Sequence, residues 1–111
     1  MDLFDVVITP FAYGQLNDYV SYIQYTLLNP IAAENVWKDA LATADELERC
    51  AGSLPLCRHA ELRKLGYHPI VLLKHDYVML YRVIGKTAYV EAIYHLMQDY
   101  ENLFLETISN S

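Results

Sequence analysis

The feature that most constrains this chain is a change in the spacing of its apolar residues near the midpoint. Between residues 10 and 50, apolar residues recur every three or four positions, as on one face of a helix. From residue 69 onward, β-branched and aromatic residues fill runs separated by short turns, which is typical of strands. A helical hairpin and a sheet each have an apolar face to bury, so the sequence predicts an α+β two-layer sandwich.

Two prolines, each preceded by a polar residue, mark the predicted helix starts. Thr9-Pro10 and Asn29-Pro30 both combine an N-cap residue with proline at the first helical position. The inner face of the first helix is predicted to carry Leu16, Tyr19, Val20, Ile23 and Leu27. That of the second is predicted to carry Ala33, Val36, Trp37, Ala40, Leu41, Ala44 and Leu47, with Glu34, Lys38, Asp39, Asp45, Glu46 and Glu48 outside. The short link between the helices makes them antiparallel neighbours.

The remaining segments predict strands around this hairpin, in the order β-α-α-β-β-β. Strands are expected at Val6–Ile8, Pro69–Lys74, Tyr77–Ile84 and Thr87–His95, the last three as an antiparallel meander. His75-Asp76 and Gly85-Lys86 are the expected two-residue turns, and Pro69 suits a strand start or a sheet edge. Residues 54–67 are expected to form a loop with a short strand at 61–65, and residues 98–104 a short helix. The sheet face away from the hairpin is expected to stay partly open.

Length and composition predict one domain spanning residues 1–111 in the cytoplasm. Apolar residues make up 54% and charged residues 20%, which argues against disorder. The chain has no apolar run long enough to span a membrane, and its acidic start, Met1 to Asp5, lacks the layout of a signal peptide. Cys50 and Cys57 do not have a zinc-site spacing and are expected to be free thiols. We expect neither a metal nor another cofactor.

Charge is distributed unevenly along the chain. The net charge of −6 disfavours a nucleic-acid binder. Residues 57–86, however, carry six lysines and arginines against two acids, namely Arg58, Arg63, Lys64, Lys74, Arg82 and Lys86 against Glu61 and Asp76. This segment either forms one basic face or consists of ordinary solvated side chains, and the sequence leaves both interpretations open.

Five segments occur in a fixed order from Val6 to Phe104. They are VVITPFAYGQLNDYVSYI, NPIAAENVWKDALATADEL, LRKLGYH, HDYVMLYRV and YHLMQDYENLF. Together they resemble the RelE/ParE family of toxins from type II toxin–antitoxin systems. The resemblance implies that the free protein inhibits growth, that a cognate antitoxin neutralises it, and that it serves functions such as plasmid stabilization. It also implies contact with operator DNA only through the antitoxin.

Members of this family divide by target, and the sequence bears on which branch applies. RelE-like toxins cleave mRNA at the ribosome, whereas ParE-like toxins inhibit DNA gyrase without being nucleases. Where RelE-like relatives carry cationic arginines, the matching positions here are Val78, Met97 and Gln98. The sequence therefore favours a toxin that binds its target. A ribosome-dependent endoribonuclease and a non-catalytic module derived from a toxin remain the alternatives.

Four residues are the candidates for a functional site. His95 is a candidate acid or base, or a strand-end histidine held by hydrogen bonds. Arg82 either contacts the target or pairs with Glu91 on a neighbouring strand. Arg63 and Lys64 are the candidates for target or phosphate contact, and solvation is their alternative role.

The ten tyrosines raise the question of base stacking, and the sequence argues against it. Tyr77 and Tyr81 share a strand face with Met79 and are expected in the core. Tyr19, with Tyr22 or Tyr25, is expected in the helix–sheet packing or on a surface that faces the antitoxin.

Overall fold

Helices and strands account for most of residues 3–110, the part of the chain described by the computed structural model. Met1 and Asp2, at the acidic start, and Ser111 lie outside the described residues. The elements in chain order are β1 (Asp5–Ile8), α1 (Pro10–Ser21), a π-helical turn (Tyr22–Thr26), α2 (Pro30–Cys50), α3 (Ala60–Lys64), β2 (Tyr67–Val71), β3 (Tyr77–Ile84), β4 (Thr87–His95) and α4 (Tyr100–Ser109).

Both predicted helix starts are confirmed by their capping contacts. The Thr9 hydroxyl accepts a hydrogen bond from the Ala12 N–H, and the Asn29 side chain accepts one from the Ala32 N–H. These caps satisfy backbone donors that the first turn of a helix leaves without partners. The hairpin packs one apolar face on the sheet, and the shared core includes Leu16, Val36, Ala40, Ala44, Leu47, Met79 and Tyr81.

The sheet confirms the predicted meander and adds one parallel pairing. Its strand order is β1-β4-β3-β2, with β2–β3 and β3–β4 antiparallel. β1 joins the other edge by pairing in parallel with β4. Pro69 lies in the edge strand β2, where the missing N–H costs least. The expected α+β sandwich, with a helical hairpin on a sheet, is confirmed.

The hairpin connection differs from the prediction because α1 ends in a π-helical turn. The Leu27 N–H bonds the Tyr22 carbonyl, five residues back, at 3.0 Å. A turn that is one residue wider rotates the following side chains away from the helical period. Leu27, predicted to face the sheet, is therefore exposed.

The short strand predicted at 61–65 is wrong, because these residues form α3. Ala60 to Lys64 are all good helix formers, and the His59 ring accepts a hydrogen bond from the Glu61 N–H at the helix start. Gly66 follows with a φ of 86°, a conformation that glycine adopts without strain and that ends the helix.

The predicted two-residue turn at His75-Asp76 is also wrong, because β2 ends at Val71 and residues 72–76 form a wider loop. The Leu73 N–H bonds the Thr43 hydroxyl at 3.1 Å, and the Lys74 N–H bonds the Asp39 carboxylate at 2.9 Å. Side chains of α2 thus take backbone donors that would otherwise extend the strand. Asp39, predicted on the outer side of α2, is buried.

The second sheet face is more covered than predicted, because the C-terminal helix is longer than residues 98–104. A second core lies beneath α3 and α4 and comprises Cys57, Leu62, Tyr67, Val78, Leu80, Ala92, Tyr94 and Phe104. Phe104 contacts the Tyr67 ring edge-on, with centroids 4.9 Å apart. Tyr100, Phe104 and Ile108 recur every four residues, which gives α4 one apolar side for this face.

Truncating Phe104 tests whether α4 is an integral part of the fold. Phe104→Ala removes a ring that is 1% exposed and should lower the free energy of unfolding by about 3–5 kcal/mol. Leu103→Ala, on the exposed side of the same helix, should cost less than about 1 kcal/mol. Urea unfolding of both variants measures the difference, and equal losses would contradict the packing of α4.

Cys50 and Cys57 are both free thiols, as predicted, and their environments differ. Burial, together with the nearby Glu101 carboxylate, raises the pKa of the Cys57 thiol to about 12. Because the thiolate is the reactive form, iodoacetamide at pH 8 should modify the half-buried Cys50 well before Cys57. Mass spectrometry of the native protein tests this order. The denatured protein is the control, in which both thiols should react alike.

Candidate functional site

The end of β4 brings together four side chains, Tyr19, Tyr77, His95 and Gln98, here called the His95 cluster. The Tyr77 ring lies 5.0 Å from the Tyr19 ring and 5.2 Å from the His95 ring, measured between centroids. The Tyr19 hydroxyl donates to the Gln98 side-chain oxygen at 2.9 Å, and the backbone N–H of His95 donates to the same oxygen at 3.0 Å. Gln98 therefore ties the segment after β4 to α1.

The hydrogen bond to the His95 ring restricts its acid–base chemistry. The Met97 N–H donates to His95 Nδ1 at 3.1 Å, so this nitrogen offers its lone pair to the backbone. In the neutral ring the proton then lies on Nε2, and Nδ1 has no free lone pair. Protonating Nδ1 would break the bond to Met97. This geometry favours the strand-end role of His95 over a role as a general base.

The three positions that the sequence resemblance matches to arginines of RelE-like toxins have different environments here. Val78 is 0% exposed and lies in the second core, beneath α4. Met97 is 85% exposed, and Gln98 is held in the His95 cluster. An arginine in place of Val78 would bury its charge among apolar side chains, which is costly without a partner. None of these three positions supplies the positive charge that a contact with phosphate needs.

Arg82 belongs to a hydrogen-bonded network on the face of the sheet opposite the His95 cluster. Its Nε donates to a Glu91 carboxylate oxygen at 2.7 Å, and its guanidinium carbon lies 5.1 Å from the centre of the Tyr67 ring. The Tyr67 hydroxyl donates to the other Glu91 oxygen at 2.9 Å. Burial, with this hydrogen bond and the charge of Glu91, raises the pKa of Tyr67 to about 12, so the hydroxyl stays a donor. The predicted pairing of Arg82 with Glu91 is confirmed.

The register of β3 and β4 explains how Glu91 reaches Arg82. Leu80 pairs with Ala92 and Tyr81 with Val90, so Glu91 is an extra residue in β4. Tyr89 pairs with Arg82, and Glu91 lies two residues further along β4, so side-chain alternation places Glu91 on the face of Arg82. His95 pairs with Tyr77, five residues from Arg82 and about 16 Å along the strand. The structure therefore does not bring Arg82 and His95 into one site.

Arg63 and Lys64 lie exposed in the last turn of α3. Arg63 donates from Nη1 to the Arg58 carbonyl at 3.1 Å, which fixes its side chain along the preceding loop. The nearby pocket, about 400 Å³, is lined by Arg58 and His59 but also by Asp99 and Glu101. Because these two carboxylates lie beside Arg58, the pocket is of mixed charge rather than cationic. Glu101 also accepts hydrogen bonds from the backbone N–H groups of Arg58 and His59.

Three of the six cations of residues 57–86 lie apart from one another. Lys74 precedes β3 and Lys86 follows it, so these two residues lie at opposite ends of an eight-residue strand. Arg82 is paired with Glu91 in the middle of the sheet. These placements favour ordinary solvated or paired side chains over a single basic face.

One anchoring network was missed by the sequence analysis. The Asp39 carboxylate accepts hydrogen bonds from His75 Nδ1 at 2.6 Å and from the Lys74 N–H at 2.9 Å. Thr43, one turn along α2, donates its hydroxyl to the Asp39 carbonyl. The signal was present in the spacing, since Asp39 and Thr43 lie at helical intervals from Val36, in the same stripe as the buried alanines.

The network borders a pocket of about 620 Å³ between α2 and the β2–β3 loop. His75 is about one-third exposed at its edge, and its Nδ1 proton is committed to Asp39. Within residues 3–110, the structure has no group of three or more histidine, cysteine, aspartate or glutamate side chains arranged to hold a metal ion. No helix in the same range is long and apolar enough to cross a membrane.

Comparison with known proteins identifies the fold. No protein-family model and no curated protein sequence matches this chain. Among solved structures, the fold is similar to that of a chain from the chromosomal ParDE toxin–antitoxin system of P. aeruginosa, with a TM-score of 0.70 and 19% sequence identity. The match covers 85% of this chain and 97% of the other. The chain therefore has the ParE-like toxin fold that the sequence resemblance implied.

Replacing Asp39 tests the anchoring role of the network. Asp39→Ala leaves the His75 and Lys74 donors without an acceptor and should lower the free energy of unfolding by about 3 kcal/mol. Asp45→Ala, on the exposed side of the same helix, should change it by less than about 0.5 kcal/mol. Chemical unfolding measures both, and similar effects would contradict the assignment.

Proposed function

We propose that this protein is the toxin of a type II toxin–antitoxin pair and that it acts by binding a target rather than by cleaving RNA. The observation that carries the proposal is the likeness to the ParDE chain over 97% of that chain's length. It agrees with the RelE/ParE motifs, which extend from Val6 to Phe104. On this proposal the chain inhibits growth when free, and a cognate antitoxin binds and neutralises it.

Three features of the structure support target binding over catalysis. The Val78 position is buried in the second core, Arg82 is paired with Glu91, and the Nδ1 lone pair of His95 accepts the Met97 N–H. RNA cleavage needs a base, an acid and cations around one phosphate. The described residues do not assemble these groups. DNA gyrase, the target of ParE-like toxins, is the proposed target.

Expression of the chain alone in bacteria tests the toxin role. Growth should stop on induction, and co-expression of the protein encoded by the adjacent reading frame should restore it. His95→Ala should arrest growth within about twofold of the wild-type rate, because a positioned acid or base would contribute about 10²-fold or more. Undisturbed growth would overturn the proposal and favour the non-catalytic module.

Two assays on the purified protein separate the possible targets. DNA supercoiling by gyrase should be inhibited, whereas mRNA in a translating extract should remain intact. Codon-positioned mRNA cleavage that disappears in the His95→Ala or Arg63→Ala variant would establish the ribosome-dependent endoribonuclease instead. Uninhibited gyrase at excess protein would exclude the proposed target.

A further inference from the structure

The N-terminal third of the chain has an unusual charge pattern. The first 37 residues contain no lysine, arginine or histidine, whereas Asp5, Asp18 and Glu34 supply negative charge. The first cation, Lys38, bonds Glu34 at 3.1 Å on the exposed side of α2. β1, α1 and the start of α2 therefore present only acidic, polar and apolar groups to a partner.

Five large apolar side chains are exposed where α1 turns into α2. They are Tyr22, Tyr25, Leu27, Leu28 and Ile31, here called the tip surface. Tyr25, Leu28 and Ile31 are each more than 70% exposed. Single exposed apolar residues are ordinary, but a contiguous group of this kind marks an interaction site.

Leu28 occupies the helix-ending position of the tip surface, where a smaller residue is usual. It has a φ of 54°, the one positive φ among the non-glycine residues that the structure describes. The Asn29 N–H bonds the Ile23 carbonyl, six residues back, at 3.0 Å, which is an ordinary way for a left-handed residue to end a helix. Glycine or asparagine adopts this conformation more easily than leucine. At 80% exposure, the Leu28 side chain gains almost no packing within the chain, so its apolar surface is free to contact a partner.

Carboxylates flank the tip surface on both helices. Asp18 lies one turn before Tyr22 on α1, and Glu34 lies one turn after Ile31 on α2, so each shares a helix side with an exposed apolar residue. Exposed tyrosine rings also attract cations through their faces. An arginine or lysine that approaches the tip therefore finds the Asp18 carboxylate and two aromatic rings, together with Glu34, whose carboxylate also bonds Lys38.

We propose that the tip surface is the docking site for a cationic amphipathic segment of a partner protein. The apolar side of that segment covers Leu27, Leu28 and Ile31, and its arginines or lysines contact the carboxylates and the tyrosine rings. An acidic segment is repelled by the same charges. The inference rests on the proposed function in one respect, that the partner is the antitoxin.

Binding of two synthetic helical peptides tests the inference. Both peptides carry leucine on one side, and the other side carries arginine in one peptide and glutamate in the other. Fluorescence anisotropy with the full chain should show that the arginine peptide binds at least about tenfold more tightly than the glutamate peptide. The preference should weaken at high salt, because exposed charges are screened.

Variants of the tip surface distinguish docking from a structural role. Leu28→Asn should weaken binding of the arginine peptide at least about fivefold. The melting temperature of this variant should stay the same or rise, since asparagine tolerates positive φ. Asp18→Asn combined with Glu34→Gln should weaken binding of the arginine peptide about two- to fivefold, as expected for exposed charge pairs. The matched controls, Ile84→Asn and the pair Asp45→Asn with Glu106→Gln, should change affinity by less than about twofold.

Several results would overturn this inference. They are absence of binding, equal binding of the glutamate peptide, and an equal loss of affinity in the Ile84→Asn control. Sedimentation that reveals a dimer dissociated by Leu28→Asn would assign the tip surface to a second copy of this chain. Growth that continues on expression while the arginine peptide still binds would overturn the proposed function and leave the docking surface in place.

Discussion

The burial of β3 on both of its faces is the constraint on which the rest of the structure depends. Met79 and Tyr81 point into the core beneath the helical hairpin, and Val78 and Leu80 point into the core beneath α3 and α4. A strand that alternates between two apolar environments fixes the register of its neighbours, because a shift by one residue would exchange the two faces. The bulge at Glu91 in β4 is accommodated within this register, and the Glu91 carboxylate pairs with Arg82.

This central packing also buries a position that the sequence resemblance matches to an arginine of RelE-like toxins. Val78 occupies that position and belongs to the core beneath α4. The remaining polar groups at the end of β4 satisfy one another, with Gln98 joining Tyr19 to the His95 backbone.

Polar contacts determine where helices and strands end at positions that apolar packing alone does not fix. Asp39 and Thr43 lie within the buried stripe of α2 and accept the backbone N–H groups of Lys74 and Leu73. These bonds end β2 at Val71 and convert an expected tight turn into a five-residue loop. Where α1 turns into α2, the π-helical turn exposes Leu27, which a regular helix would have turned inward. The middle of α2 is thus anchored to the sheet, whereas the connection between the two helices is exposed.

The sequence by itself determined the helix starts at Thr9-Pro10 and Asn29-Pro30, the bounds of β3 and β4 and the fold class, and it offered the pairing of Arg82 with Glu91 as one of two roles. Capping, proline geometry and hydrophobic period act over a few residues, so they can be interpreted without coordinates. The helix at residues 60–64 and the place of Asp39 in the buried stripe of α2 also had local signals. Only the tertiary structure decided which distant backbone groups Asp39 and Thr43 bond and that α4 covers Val78. These outcomes depend on contacts between residues far apart in the chain, and local patterns carry no information about which distant group satisfies a given side chain or backbone donor.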